Sequence, residues 1–178
     1  MSVRLWFDTN TLWRRPSEQR ELTELARSRG FSPVVSAQVY LEDRRQTRVR
    51  SAALGRPFDE RVNDALFSQL YEVIDVPLDR ATAARWADRL AVRYPGPDAW
   101  KQAKRATLGG KLRDAFEVLP AHLPMTTDWL IALAVEDDAQ SRIVTEEGGE
   151  EWSFLRSEGR VMSWKESLAW LASMAERG

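Results

Sequence analysis

The chain has 178 residues, with 26 basic and 27 acidic side chains, one histidine, no cysteine and a net charge of −1 at pH 7. That length suits one domain with a sizeable core, or one domain carrying an insertion, and fits two independent domains poorly. The absence of cysteine excludes disulfides, thiolate metal sites and a cysteine nucleophile, and the near-zero net charge excludes a global basic field for a polyanion. Arg4 and Asp8 come too early for the apolar stretch of a signal peptide, and no apolar run is long enough to span a bilayer, so a soluble cytoplasmic protein without a membrane partner is expected.

The first predicted element is a strand at about 3–7, in which Leu5-Trp6-Phe7 runs directly into Asp8 and then turns polar. A helix follows with Ser17 as its expected cap, Glu18 and Glu21 in its first turn and Gly30 as its stop. Pro33-Val34-Val35 is a short strand. Ser36 can cap a helix to about Leu54, ended by Gly55-Arg56-Pro57, and Asp59 can cap another to about Glu72. Val73 to Val76 is a third strand, and 79–92 reads as a helix with Ala83, Trp86, Ala87 and Leu90 on one stripe. Tyr94-Pro95-Gly96-Pro97 breaks the chain, and 94–121 has the character of an insertion or lid. Thr126 or Thr127 then caps an unusually apolar helix, Trp129 to Val135, whose pattern predicts burial on most sides. Arg142 to Thr145 is the fourth strand, Val161-Met162 belongs to a fifth, and Ser163 caps a last helix. Short apolar strands alternating with helices predict one α/β domain over 1–178, with helices on both faces of a mostly parallel sheet. Ligands of such sheets sit beyond the carboxyl ends of the strands, where Asp8 and the Glu146/Glu147 pair fall.

Charge is segregated along the chain. Arg44, Arg45, Arg48, Arg50 and Arg56 form one basic stretch, Lys101, Lys104, Arg105, Lys111 and Arg113 another, whereas 128–151 is strongly acidic with Arg142 its only base. Acids at chain turns flanked by basic segments suit a hard cation acting on a polyanion. Mg²⁺ takes oxygen ligands and keeps several waters, so two to four convergent carboxylates hold one or two ions. Asp8, Glu42, Asp128 and Glu146 or Glu147 are the candidates. Each also has a plain structural role open to it: Asp8 as a turn cap, Glu42 as a solvated helix residue, Asp128 against a helix dipole, the glutamates as an exposed acidic turn. The lone histidine, His122, lies in a proline-flanked stretch and is not needed for this chemistry.

Four blocks carry a resemblance: Leu5-Trp6-Phe7-Asp8-Thr9-Asn10; Pro33 to Glu42; Thr127-Asp128-Trp129-Leu130-Ile131-Ala132-Leu133-Ala134; and Ile143-Val144-Thr145-Glu146-Glu147. In their order and spacing they resemble the PIN-domain family, whose fold is a three-layer α/β/α metal-dependent ribonuclease found in many bacterial toxin–antitoxin toxins. The resemblance implies an endoribonuclease using Mg²⁺ or Mn²⁺, with Asp8, Glu42, Asp128 and Glu147 as the acid cluster. It also implies Asn10 and Thr145 as supporting polar groups, RNA as substrate and a small antitoxin as partner, and leaves a homodimer open. The fourth acid of the family is commonly aspartate where this chain has Glu146 and Glu147, and the resemblance ends at 94–121. The alternative reading is a PIN-like module that binds RNA or protein without catalysis.

For RNA contact the sequence offers Arg45 and Arg48 near Glu42, and Lys101, Lys104, Arg105 and Lys111 farther on. Of eight tryptophans, Trp6, Trp86, Trp129, Trp164 and Trp170 sit in apolar patterns, whereas Trp13, Trp100 and Trp152 are the candidates for exposure, with Trp13 within reach of stacking on a base. An aspartyl phosphatase fits less well: Asn10 and Leu12 stand where its motif needs an acid and a threonine. No glycine-rich phosphate loop or nucleophile elbow is present.

Overall fold

The computed structural model describes residues 3–76, 127–149 and 152–175. Along them run β1 (Val3–Phe7), a 3₁₀ helix (Thr9–Trp13), α1 (Pro16–Ser28), β2 (Phe31–Ser36), α2 (Ala37–Ala53), α3 (Glu60–Leu70) and β3 (Glu72–Ile74), followed by α4 (Thr127–Glu136), β4 (Arg142–Val144), α5 (Ser153–Ser157), β5 (Val161–Met162) and α6 (Trp164–Ala172). The helix expected at 79–92 and the segment 94–121 lie outside the described residues.

The five strands form one sheet in the order β3-β2-β1-β4-β5, and every pairing is parallel. Helices flank it, giving an α/β fold consistent with three layers. A sheet covered on both sides needs continuous apolar strands, which is why Leu5, Trp6 and Phe7 are all fully buried in the central strand. Edge-to-face contacts pin the end of that strand: the Phe7 ring lies 5.1 Å from Tyr71 and 6.1 Å from Trp164, centroid to centroid.

Register decides what emerges at the top of the sheet. Leu5, Trp6 and Phe7 pair with Arg142, Ile143 and Val144, so the next residues, Asp8 and Thr145, leave adjacent strands side by side. The Asp8 N–H still donates to the Val144 carbonyl at 3.1 Å.

Local chemistry sets the helix ends. Ser36 accepts the Val39 N–H at 3.1 Å and starts α2, Asp59 caps α3, and Ser163 and Glu166 form a capping box on α6. The start of α1 differs from expectation: Pro16, not Ser17, opens the helix and Arg15 stands at the cap. Proline has its φ already set for a helix and lacks the N–H that the first turn leaves unpaired, so it outcompetes the serine cap. Gly30, with φ of 82°, makes the left-handed turn that ends α1 and starts β2.

The apolar helix α4 is buried as its composition predicts, with Leu130, Ile131, Ala132, Leu133 and Val135 nearly inaccessible. Its far end is clamped by Arg160, whose guanidinium is buried and donates to the carbonyls of Val135, Asp138 (2.6 Å) and Ser141 (3.0 Å). A cation there satisfies carbonyls left over at a helix C-terminus and ties α4 to the entry of β4. Trp152 corrects the sequence reading: it is fully buried, because tertiary packing and not the polarity of its neighbours decides its place. Trp13 is 49% exposed. Among the described residues no helix is long and apolar enough to cross a membrane.

Replacing Ser36 by alanine removes the α2 cap from a fully buried position and is expected to cost about 1–2 kcal/mol in urea unfolding, with an unchanged denaturant slope.

Candidate metal centre

Asp8 is the fixed point of the site. It caps the 3₁₀ helix, accepting the Thr9 N–H on Oδ1 at 2.6 Å, while Oδ2 accepts from Asn10 Nδ2 at 2.6 Å and from the Thr145 hydroxyl at 2.8 Å. Its backbone carbonyl accepts the Thr11 hydroxyl at 2.6 Å. Only 2% of the residue is exposed.

Thr145 and Asn10 are matched to that carboxylate. The single Thr145 hydroxyl proton goes to Asp8, and its oxygen accepts Asn10 Nδ2 at 3.2 Å and the Glu147 N–H at 3.1 Å. Asn10 uses both amide protons on Asp8 and Thr145, and its carbonyl accepts the Glu146 N–H at 3.1 Å. Two short polar side chains thus connect the end of β1 to the loop after β4. They also orient the peptide bearing Glu147.

Three carboxylates converge. Asp8, Asp128 in the first turn of α4, and Glu147 after β4 each offer an oxygen, and these oxygens lie within 4.8 Å of one another. An all-oxygen set from three separate chain segments can hold a metal ion, and carboxylates are the donors a hard cation takes. The acids grade outward from Asp8, which is buried, through Asp128, which is partly exposed, to Glu147, which faces solvent. One side of the centre therefore stays open to a ligand.

Glu42 stands outside that triplet and reaches it indirectly: its Oε2 accepts the Thr9 hydroxyl at 3.0 Å, and Gln46 donates to its other oxygen at 3.2 Å. Glu146 turns elsewhere. Its Oε1 pairs with Arg14 at 2.7 Å and accepts the Trp164 N–H at 3.2 Å, while the Arg14 guanidinium lies 5.6 Å from the centre of the Trp164 ring. Between the two glutamates it is Glu147 that faces Asp8 and Asp128.

The proposed RNA contacts divide. Arg45 is exposed on α2, whereas Arg48 pairs with Glu60 of α3 and lies over Phe58, and Arg44 joins the same glutamate at 2.6 Å. Lys101, Lys104, Arg105 and Lys111 lie outside the described residues. Exposed Trp13 has Arg50 over its ring at 4.4 Å, so one of its faces is covered. Sequence reasoning missed Arg14, Thr9 and Arg160. Thr9 was within reach, since it adjoins the acid, but nothing local marks Arg14 or Arg160 as partners of segments more than a hundred and about twenty residues away.

Burial raises the Asp8 carboxyl to about 6 from an ordinary 3.8, the Thr145 and Thr9 hydrogen bonds oppose this, and the charges of Glu147 and Glu42 add to the rise. Asp43, on α2, is raised to about 6 chiefly by burial, against the pull of Arg50. No family model, curated protein or solved structure matches this chain. Fold and site together define an α/β protein with a carboxylate centre beyond the ends of its central strands.

A carboxyl raised in the folded state binds its proton more tightly than in the unfolded chain, so it adds stability below the unfolded value and loses it as pH climbs through about 6. In chelator, the thermal midpoint is expected to rise on going from pH 7.5 to pH 5. Asp8 contributes about 1.4 kcal/mol to that change, the full effect of about 3 kcal/mol being reached only below its ordinary value of 3.8, and Asp8→Asn flattens the dependence. In Mn²⁺ titration calorimetry at neutral pH, Glu147→Gln is expected to weaken binding roughly tenfold or more and Glu146→Gln by less than about threefold; equal losses would place Glu146 among the ligands.

Proposed function

We propose that this protein is a PIN-like, metal-dependent ribonuclease that hydrolyses RNA phosphodiester bonds with Mg²⁺ or Mn²⁺ held by Asp8, Asp128 and Glu147. The observation that carries the reading is the convergence of those three carboxylates from β1, α4 and the loop after β4. A divalent cation bound there supplies an activated water and neutralises charge developing on the phosphodiester. The residues around it have separate tasks. Thr145 and Asn10 hold Asp8 in one orientation, so its charge meets the cation without rearrangement. Glu42, tied to Thr9, keeps a fourth negative charge beside the centre, where a second ion or a water proton would be taken up. Exposed Arg45 on the same helix is available to a backbone phosphate, and the sequence offers Lys101, Lys104, Arg105 and Lys111 for the same role.

The order of the four acids and their supporting groups supports a PIN-like reading over a generic cation site. A small antitoxin as partner belongs to the same reading. Asp8 titrating near 6 implies that activity falls as pH drops below that value, because a proton then competes with the cation for the innermost oxygen.

The test is incubation of a mixed cellular RNA pool with wild type and Asp8→Asn in Mn²⁺, Mg²⁺ or chelator, followed by sequencing of new ends. New ends are expected only with metal and wild type, with at least a roughly hundredfold loss in the variant. Ends that persist in excess chelator would overturn the mechanism. No ends in any condition, with RNA still bound, would favour a non-catalytic binding module.

A further inference from the structure

Between α1, α2 and α3 lies a cavity of about 180 Å³ with Leu12, Leu66 and Phe67 among its apolar walls and Arg20, Asp43, Thr47 and Asn63 among its polar lining. A cavity of about 150 Å³ is enough to hold benzene, so this one has room for a planar ring. Asp43 is 8% exposed and receives no hydrogen bond from the described residues. The opposite charge acting on it belongs to Arg50, whose guanidinium lies over Trp13. Asn63 brings a buried amide nitrogen that has no acceptor. Gln19, on the same wall, is by contrast fully engaged, donating to the carbonyls of Leu12 (2.9 Å) and Arg14 (2.8 Å) and accepting the Tyr71 hydroxyl (3.1 Å).

A carboxylate with no hydrogen-bond donor and a buried amide nitrogen with no acceptor among the described residues line one cavity and define what would fill it. The carboxylate has two oxygens side by side and asks for two adjacent donors; the amide on the same cavity asks for an acceptor. A guanidinium supplies the donors and no acceptor. Among nucleobases, adenine and cytosine present a single amino donor on that edge and uracil one N–H between two carbonyls. Guanine alone presents N1–H and N2–H together with O6 beside them.

We propose that this cavity takes a guanine base from a single RNA strand, with Asp43 accepting from N1–H and N2–H and Asn63 donating to O6. The strand as the source of the base rests on the ribonuclease reading; the guanine chemistry does not. The position agrees with both. Asp43 follows Glu42 on α2, and Leu12 belongs to the 3₁₀ helix that Asp8 caps, so the cavity adjoins Asp8's own turn and the helix of the neighbouring Glu42. A base held here would set which nucleotide lies near the acids, as single-stranded recognition by base edges does elsewhere.

Binding is measured in chelator, where no cleavage intervenes, by calorimetry with pentaribonucleotides that differ only in a central guanine, adenine, cytosine or uracil on a uridine background, and with guanosine monophosphate. The guanine strand is expected to bind about tenfold or more tightly than the others. Asp43→Asn, which keeps the shape and removes a largely buried charge, should erase that preference while the protein melts no lower than wild type. Asn63→Ala should reduce it several-fold. Equal affinity for all four strands, or a preference that survives Asp43→Asn, overturns the proposal. Tight binding of guanosine monophosphate with no binding of the strand overturns the RNA assignment in favour of a free nucleotide. Guanine preference without metal-dependent cleavage leaves this site standing and removes the ribonuclease reading; cleavage without guanine preference does the reverse.

Discussion

Everything at the top of this sheet depends on keeping one carboxylate ionised where water hardly reaches it. Asp8 ends the central strand, is 2% exposed, and has Thr9, Asn10 and Thr145 donating to its two oxygens. The Thr145 and Thr9 hydrogen bonds offset part of the desolvation that burial imposes, but the negative charges of Glu147 and Glu42 add to it, and the carboxyl is raised to about 6. A group so poised stores unfavourable charge that a cation relieves. A cation bound there would be favoured by the same arrangement, because metal binding and loss of the proton are coupled. Hydrogen bonds within the site fix the direction of the carboxylate.

Precision at Asp8 is inherited from the strands. Parallel pairing of Phe7 with Val144 sets Asp8 beside Thr145 without any freedom of register, and the Phe7 ring locked against Tyr71 and Trp164 keeps the strand end from sliding. Asp128 reaches the same place by another route. It rides on α4, whose apolar body is sunk in the core and whose far end is held by Arg160 through carbonyls of Val135, Asp138 and Ser141. A buried guanidinium with several carbonyl acceptors is a stiff joint. It couples the helix that carries one acid to the strand that leads to another.

The chain's periodicity made the fold legible. Leu5-Trp6-Phe7 and Ile143-Val144 are apolar without alternation, as strands covered on both faces must be, and Ser36, Asp59 and Ser163 announce helices by cap chemistry that acts within three residues. The acids of the site were legible for a related reason: a charge at the end of an apolar run has few places to go. What could not be read was pairing across distance. Glu146 and Glu147 are adjacent and chemically equal, and only the three-dimensional position of Arg14 and the Trp164 N–H separates them. Trp152 looks exposed beside acids and glycines and is buried, and Arg48 looks available beside Glu42 and is bound to Glu60.

Asp43 poses a different question from Asp8, although burial raises both to about 6. Asp8 has three donors and two acidic neighbours that suit a cation; Asp43 has no hydrogen-bond donor among the described residues and faces a cavity with apolar walls. Asparagine would occupy the same volume at Asp43 without the buried charge, so an aspartate there lowers the stability of the ligand-free fold. Residues that break a local rule of stability are expected where function needs them. The two carboxylates lie on opposite sides of one short path, from the 3₁₀ helix through Thr9 and Glu42 to the next residue of α2. A ligand that fills the cavity bears on the same turn of helix that anchors Glu42. Asp43 and Glu42 are consecutive on α2, so the cavity and the acid beside the carboxylate centre share that helix.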